Sequence, residues 1–280
     1  LLAVLKHLKV VKYPGRTPAL DRLEELALVE ENPRAILAYC KVLGRREQHR
    51  EAIALLEKLM TRIYPTKTRQ HVRDDITLYG RLEAPWWEYS WHKARLEEFD
   101  ASEEMLRLGA LEYQEPRALV EYAFILWQKG DAHGYLECMN KAATAGNAEA
   151  CLKLANYYYL NSLEKRVARE VQDPDGFTVK VQHWLGILHT ADDYRKLAMD
   201  WYEISTLHGN HDAAFILAMI LREDGDSEGG LRWLGHIERF NDTATAQTKK
   251  FPNAVRILRE RWDNADFRPA IPERLLSVDK

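Results

Sequence analysis

The chain has 280 residues, of which 46% are hydrophobic and 30% charged, with a formal net charge of −3. That balance excludes wholesale disorder, and no uninterrupted apolar run approaches the ~18 residues of a membrane-crossing helix. Charge is uneven: residues 1–73 carry 15 Lys and Arg against 8 Asp and Glu, and the remainder 25 against 35. One end then suits an acidic partner and the other a basic one, or the charges merely coat solvated helix faces.

Ala, Leu, Glu, Lys and Arg recur from end to end and favour helix on intrinsic propensity. The opening segment, with Lys6, Lys9 and Lys12 among apolar residues, reads as an amphipathic helix over about 1–11 rather than a secretory signal. A start at Leu1 instead of Met is expected of a processed chain or one begun inside a longer protein, and removal of an organellar presequence would give such a start. Periodicity predicts further helices at about 18–30, 33–43, 47–62, 70–81, 86–99, 102–112, 116–128, 132–145 and 148–160. The same pattern continues at about 178–189, 192–207, 211–223, 227–239 and 251–262. Connections carry turn chemistry, as at Asn32-Pro33, Tyr64-Pro65, Ala84-Pro85, Asp173-Pro174-Asp175-Gly176 and Gly225-Asp226. The stretch 161–177 is expected to be the longest loop, and 263–280 to pack as an extended tail behind a single array over 1–262.

Internal repetition is the dominant signal. Pairs of small residues five apart recur within apolar stretches: Ala35 with Cys40, Ala118 with Ala123, Ala150 with Ala155, and Ala213 with Ala218. The first two copies share the tripeptide Pro-Arg-Ala, with proline placed where the first helical turn has no use for its N–H. Gly146-Asn147 and Gly209-Asn210 precede the later copies at one offset, as helix-ending punctuation does. Trp201 and Trp233 stand 32 residues apart, with Ala198 and Gly230 at the same offset. The period is near 32, with one enlarged unit between Ala150 and Ala213. Small residues let helix backbones approach, and a neighbouring Trp or Tyr fills the space beside them.

These residues resemble the Sel1-like branch of the tetratricopeptide-type helical repeats. Asp193, Lys196, Ala198, Trp201 and Tyr202, followed by Gly209, Ala213, Leu217 and Ala218, are similar to the family phrase. Ala142, Ala143, Gly146, Ala150, Leu154 and Ala155 look like an earlier copy. Ser205 and Thr206 replace paired alanines, Gly229-Gly230 replaces a Lys-Ala pair, and residues 156–190 do not fit a standard unit. The resemblance is good over about 116–240 and looser over 20–60. It implies an all-α, right-handed superhelical solenoid of antiparallel helix pairs that binds or scaffolds, and it transfers no catalytic residue.

Candidate chemistry is sparse. His208 and His211 flank Gly209-Asn210, but no third ligand follows at helical spacing. His183 and His189 project to different faces of the helix predicted there. Asp173-Pro174-Asp175-Gly176 lacks the remaining acidic positions of a calcium loop and reads as a turn. Neighbouring carboxylates at Glu97-Glu98, Glu103-Glu104 and Asp192-Asp193 diverge on a helix, and Asp192 or Asp193 is expected to cap the next one. No nucleophile, phosphate-binding or zinc signature is present in the sequence. Cys40, Cys138 and Cys151 form no CxxC pair and read as buried thiols of a reducing, intracellular compartment, the cytoplasm or the mitochondrial matrix.

Two segments stand out as candidate interfaces. Trp86, Trp87, Tyr89 and Trp91 fall within six residues, more than one helix face buries. Either both faces lie between helix layers, or one set anchors a partner as interface aromatics do. Arg45, Arg46 and Arg50, with Lys67, Arg69 and Arg73, form a basic cluster suited to RNA phosphates or an acidic protein. No pair of base-reading positions recurs per repeat, which argues against a one-base-per-repeat code. The sequence thus predicts a non-enzymatic scaffold or adaptor without cofactor, metal or small-molecule substrate, which binds protein partners in a multi-subunit complex. The second reading is a structural subunit of a ribonucleoprotein particle, with mitochondria as one setting.

Overall fold

A computed structural model of the chain describes residues 17–63, 85–172, 190–243, 251–264 and 270–278. Among these residues there are thirteen helices and no strand. They are α1 Pro18–Leu28, α2 Pro33–Arg45, α3 His49–Ile63, α4 Pro85–Arg95, α5 Phe99–Leu111, α6 Pro116–Gln128 and α7 Ala132–Thr144. The series continues with α8 Ala148–Gln172, α9 Ala191–Leu207, α10 His211–Glu223, α11 Ser227–Thr243, α12 Pro252–Glu260 and α13 Glu273–Leu276. The helices expected at 1–11, 70–81 and 178–189 lie outside the described residues.

The helix expected at 86–99 ends at Arg95, and the next begins at Phe99 instead of 102. The stretch expected as a loop from residue 161 is helical to Gln172, so α8 has 25 residues. The reason is compositional: residues 161–172 contain neither Gly nor Pro and are rich in Leu, Glu, Lys, Arg and Ala, so nothing breaks the helix before Asp173-Pro174.

Contacts gather the chain into two compact units, Leu1–Ile125 and Leu126–Lys280. Within the first, α1 packs on α2, α2 on α3, α3 on α4 and α4 on α5. Within the second, α7 packs on α8, α8 on α9, α9 on α10, α10 on α11 and α11 on α12.

One turn recurs between neighbouring helices. At Gly146 (φ 82°) and Gly209 (φ 91°) the chain enters the left-handed region. The N–H of the following residue then donates back into the helix just ended, Asn147 to Ala142 O and Asn210 to Ser205 O, both at 3.0 Å. Each Asn also starts the next helix, its Oδ1 accepting from Ala150 N and Ala213 N respectively. Gly130-Asp131 and Gly225-Asp226 build the same turn with Asp as the cap, accepting from Gly134 N and Gly229 N at 2.8 Å.

The first unit makes this turn without glycine. Glu31, Glu47, Glu97 and Gln114 sit at φ of 50°, 62°, 64° and 53°. After Glu47 and Glu97 the bond back is the same, Gln48 N to Leu43 O at 2.9 Å and Glu98 N to Lys93 O at 3.0 Å, whereas after Glu31 and Gln114 it reaches one residue further, Asn32 N to Leu26 O and Glu115 N to Gly109 O, both at 2.9 Å. An L-residue in this conformation costs about 1–2 kcal/mol that glycine does not.

Small residues set the helix spacing. Ala118, Ala123, Ala150, Ala155, Ala198, Ala213 and Ala218 are all fully buried, as are Ala35 and Cys40. Three helical glycines each receive a tryptophan. A methyl placed on Gly44 would stand 2.6 Å from Trp91 Cζ3, one on Gly109 2.5 Å from Trp86 Cβ, and one on Gly230 2.5 Å from Trp262 Cζ2. Around α1–α4 the core is Leu20, Leu23, Leu43, Leu56 and Leu59 with Tyr89. In the second unit one cluster joins α8, α9 and α10 through Tyr159, Tyr202, Ile216 and Ile220, and another joins α10, α11 and α12. Ile271 and Leu275 pack against both clusters, so the segment around α13 lies back on the helices of its own unit.

Candidate functional site

The most organised polar site among the described residues lies in the second unit, where α7 and α8 hold the segment 275–278. Nδ2 of Asn156 donates to Leu275 O at 2.8 Å and to Ser277 O at 2.9 Å. Lys153 Nζ donates to Ser277 O at 3.0 Å, and the Tyr135 hydroxyl to Val278 O at 3.1 Å. All four bonds end on main-chain oxygens.

Local structure explains the placement. Ala150, Cys151, Leu154 and Ala155 form the buried stripe of α8. Lys153 and Asn156 are three apart beside that stripe, so they share a face. Asn156 is itself 1% exposed, and its Oδ1 accepts from the Tyr202 hydroxyl at 2.9 Å. Tyr202 comes from α9 and is fully buried, and burial holds its hydroxyl protonated well above the usual tyrosine range. The two carbonyls can only accept, which fixes the amide: both Nδ2 hydrogens turn to the segment, and Oδ1 turns to the Tyr202 hydroxyl that donates to it. Tyr135, also fully buried, is braced by the rings of Trp127 and Tyr157 at centroid distances of 5.0 and 6.5 Å. Beside the segment is a cleft of about 340 Å³, lined in part by Glu149, Lys153, Asp212 and Arg274.

This arrangement recognises carbonyl groups. It pairs no nucleophile with a base. Sequence reasoning missed Tyr135, Lys153, Asn156 and Tyr202; an Asn bordering an alanine stripe was the available signal.

The four aromatic residues singled out in the sequence fall on α4. Trp86 and Tyr89 are buried and Trp87 and Trp91 half-buried. The Trp86 ring stacks on Tyr113 at 4.6 Å, the Arg117 guanidinium lies 3.4 Å over the Trp87 ring, and Tyr89 donates to Glu57 Oε1 at 2.7 Å. Arg45 and Arg46 at the end of α2 and Arg50 at the start of α3 are exposed around a single turn. Lys67, Arg69 and Arg73 lie outside the described residues, as do His183, His189 and the Asp173–Gly176 turn.

Trp201 and Trp233 are half-buried, and Gly209 is an exposed turn residue. His208 ends α9, whereas the His211 ring lies 3.8 Å from that of Phe240. Asp193 completes a reciprocal capping box with Thr190 at the start of α9. Among the described residues no group of three His, Cys, Asp or Glu is placed to hold a metal. Cys40, Cys138 and Cys151 are buried free thiols. Burial raises all three, Cys138 and Cys151 to about 11, which suppresses thiolate reactivity.

The first unit contains two buried polar links. His49 Nδ1 and His92 Nδ1 are 3.0 Å apart, joining α3 to α4, and His92 Nε2 is 3.7 Å from Glu88 Oε1. Burial, with His49 beside it, pushes His92 down to about 4. Glu115 accepts from Trp86 N at 3.1 Å, tying the turn before α6 to the first turn of α4. Its burial pushes the carboxyl up to about 8, against the opposing pull of the Trp86 N–H and the Arg117 charge. Both links are enclosed, with His92 fully buried.

No protein-family model matches the chain, and no curated protein matches it.

Proposed function

We propose that the chain is a non-catalytic scaffold or adaptor: a right-handed solenoid of antiparallel, tetratricopeptide-type helix pairs that holds protein partners within a larger assembly. The single observation that carries this reading is the site on α7 and α8, where Tyr135, Lys153 and Asn156 bind the main chain of the protein's own residues 275–278. The turn that recurs at positions 47, 97, 130, 146, 209 and 225 supports the solenoid, because it joins successive helices with one and the same hydrogen bond. Three buried free thiols suit a reducing compartment, the cytoplasm or the mitochondrial matrix. No helix among the described residues is long and apolar enough to cross a membrane.

A second reading is a structural subunit of a ribonucleoprotein particle. It is favoured by Arg45, Arg46 and Arg50, three exposed cations around one turn.

Affinity purification from native lysate, with and without nuclease, tests the first reading against the second. A defined set of proteins retained after nuclease supports the scaffold. Loss of association with nuclease, and with Arg45→Glu, Arg46→Glu and Arg50→Glu combined, supports the ribonucleoprotein subunit instead.

A further inference from the structure

We propose that residues 270–278 are a displaceable occupant, in cis, of a peptide-docking groove on α7 and α8. The competing partner is a segment of like chemistry: an aliphatic residue followed by proline, then two adjacent leucines at the fifth and sixth positions. The proposal rests on the reading of the chain as a protein-binding scaffold and adds which segment binds, where, and what stands in its way.

The groove is built for a backbone. Asn156 spans two carbonyls, Leu275 O and Ser277 O, with one nitrogen, and Tyr202 holds the amide in that orientation. Lys153 and Tyr135 extend the contact to Ser277 O and Val278 O. A backbone carbonyl is common to every sequence, so any segment able to take this path can replace the occupant. Specificity then comes from side-chain seats beside the row of donors. Ile271, Leu275 and Leu276 fill these seats against the buried cluster that contains Tyr159, Tyr202, Ile216 and Ile220. The backbone matches a short motif: Pro272 (φ −59°, ψ 127°) and Ser277 (φ −60°, ψ 132°) are extended on either side of one helical turn.

The occupant is weakly rooted. None of residues 270–272 or 274–278 is buried, and Arg274 and Ala270 are exposed. By contrast, the residues beneath it, Tyr135, Asn156 and Tyr202, are among the most enclosed of their unit. Departure of the segment opens Asn156 and Lys153 to water, which replaces the lost carbonyl partners. The row of polar donors tolerates both an occupied and a hydrated state, and the apolar seats of Ile271, Leu275 and Leu276 are what a competing segment refills. The cis segment is tethered nearby, so it competes at high effective concentration and lowers the apparent affinity of the groove for any partner.

The test uses a fluorescent peptide with the sequence of residues 270–278, capped at both ends and added to the full chain. The chain carrying Leu275→Asp and Leu276→Asp is expected to bind it at least ten-fold more tightly than the unaltered chain, because the cis occupant is expelled. Adding Asn156→Asp to that variant should abolish binding, and Lys153→Met should weaken it several-fold while leaving the buried floor intact. Equal affinity of the unaltered and Leu275→Asp/Leu276→Asp chains overturns the proposal, as does binding that survives Asn156→Asp. Circular dichroism establishes that each variant folds. If one does not, hydrogen exchange on the unaltered chain decides: excess peptide should deprotect residues 270–278, and unchanged protection overturns the proposal. A dimer in light scattering that dissociates with Leu275→Asp/Leu276→Asp assigns the occupant to a second copy and also overturns it. The scaffold reading fails separately, if no protein partner survives nuclease while the peptide still binds.

Discussion

The Tyr202 hydroxyl donates to Oδ1 of Asn156 across 2.9 Å, and both side chains are shut off from solvent. It anchors the end of the Asn156 amide opposite to the one that meets the segment 275–278. Tyr202→Phe leaves a buried acceptor without its donor and loosens the amide. It should cost roughly 1–3 kcal/mol in stability. Hydrogen exchange should also show faster opening of residues 275–278 than in the unaltered chain. Lost stability without faster opening would reduce Tyr202 to a packing residue.

A second expectation concerns the turns. Glu97 sits at φ 64° in a position that glycine fills at Gly130, Gly146, Gly209 and Gly225. Glu97→Gly should therefore stabilise the first unit by about 1 kcal/mol, against the usual direction for glycine substitution. Denaturant melts of the two chains read this directly.

Gly109 should behave in the opposite way. An added methyl meets Trp86 Cβ at 2.5 Å and Ala118 Cβ at 2.9 Å, and neither atom is the far end of a flexible side chain. Gly109→Ala should destabilise by about 1–3 kcal/mol, although alanine is the better helix former. A neutral or stabilising outcome in thermal melts would show that α4 and α5 have room to separate.

The buried titratable groups of the first unit oppose one another with pH. His92 is held at about 4 when folded against 6.5 ordinarily, so its contribution is complete above pH 6.5 and is lost as pH falls towards 4. Glu115 is held at about 8 against an ordinary 4.5, so stability falls as pH rises from 4.5 to 8. Between 4.5 and 6.5 the two slopes oppose each other, and from 6.5 to 8 only Glu115 of the two still changes charge on folding. Thermal melts from pH 6.5 to 8 should show a decline that Glu115→Gln removes and that a His92 substitution leaves in place.

How much of this was legible in the sequence depended on glycine. Where the recurring turn uses Gly, at residues 146 and 209, the repeat stands out, and the bounds expected for α10, which runs between Gly209 and Gly225, match its residues. Where Glu or Gln fills the same conformation, at 31, 47, 97 and 114, no residue type announces the turn. There α4 was expected to run to 99 and instead ends at Arg95. The alanine pairs were visible because close helix crossings demand small residues, and a fixed offset repeats that demand from one helix to the next. The candidate site was not visible, since it joins residues of α7, α8 and α9 to a segment more than a hundred positions away. Asn156 among Ala155 and three tyrosines gave the only local sign. The basic cluster and the tryptophans drew attention by composition, which reports a residue's type and not what it faces.

The most direct measurement compares the unaltered chain with Asn156→Asp in parallel purifications from nuclease-treated native lysate, after melts establish that both are folded. A scaffold that works through the α7–α8 groove retains a defined set of proteins on the unaltered chain and loses it on Asn156→Asp. The same set on both chains would contradict the account and place the partner surface elsewhere on the molecule.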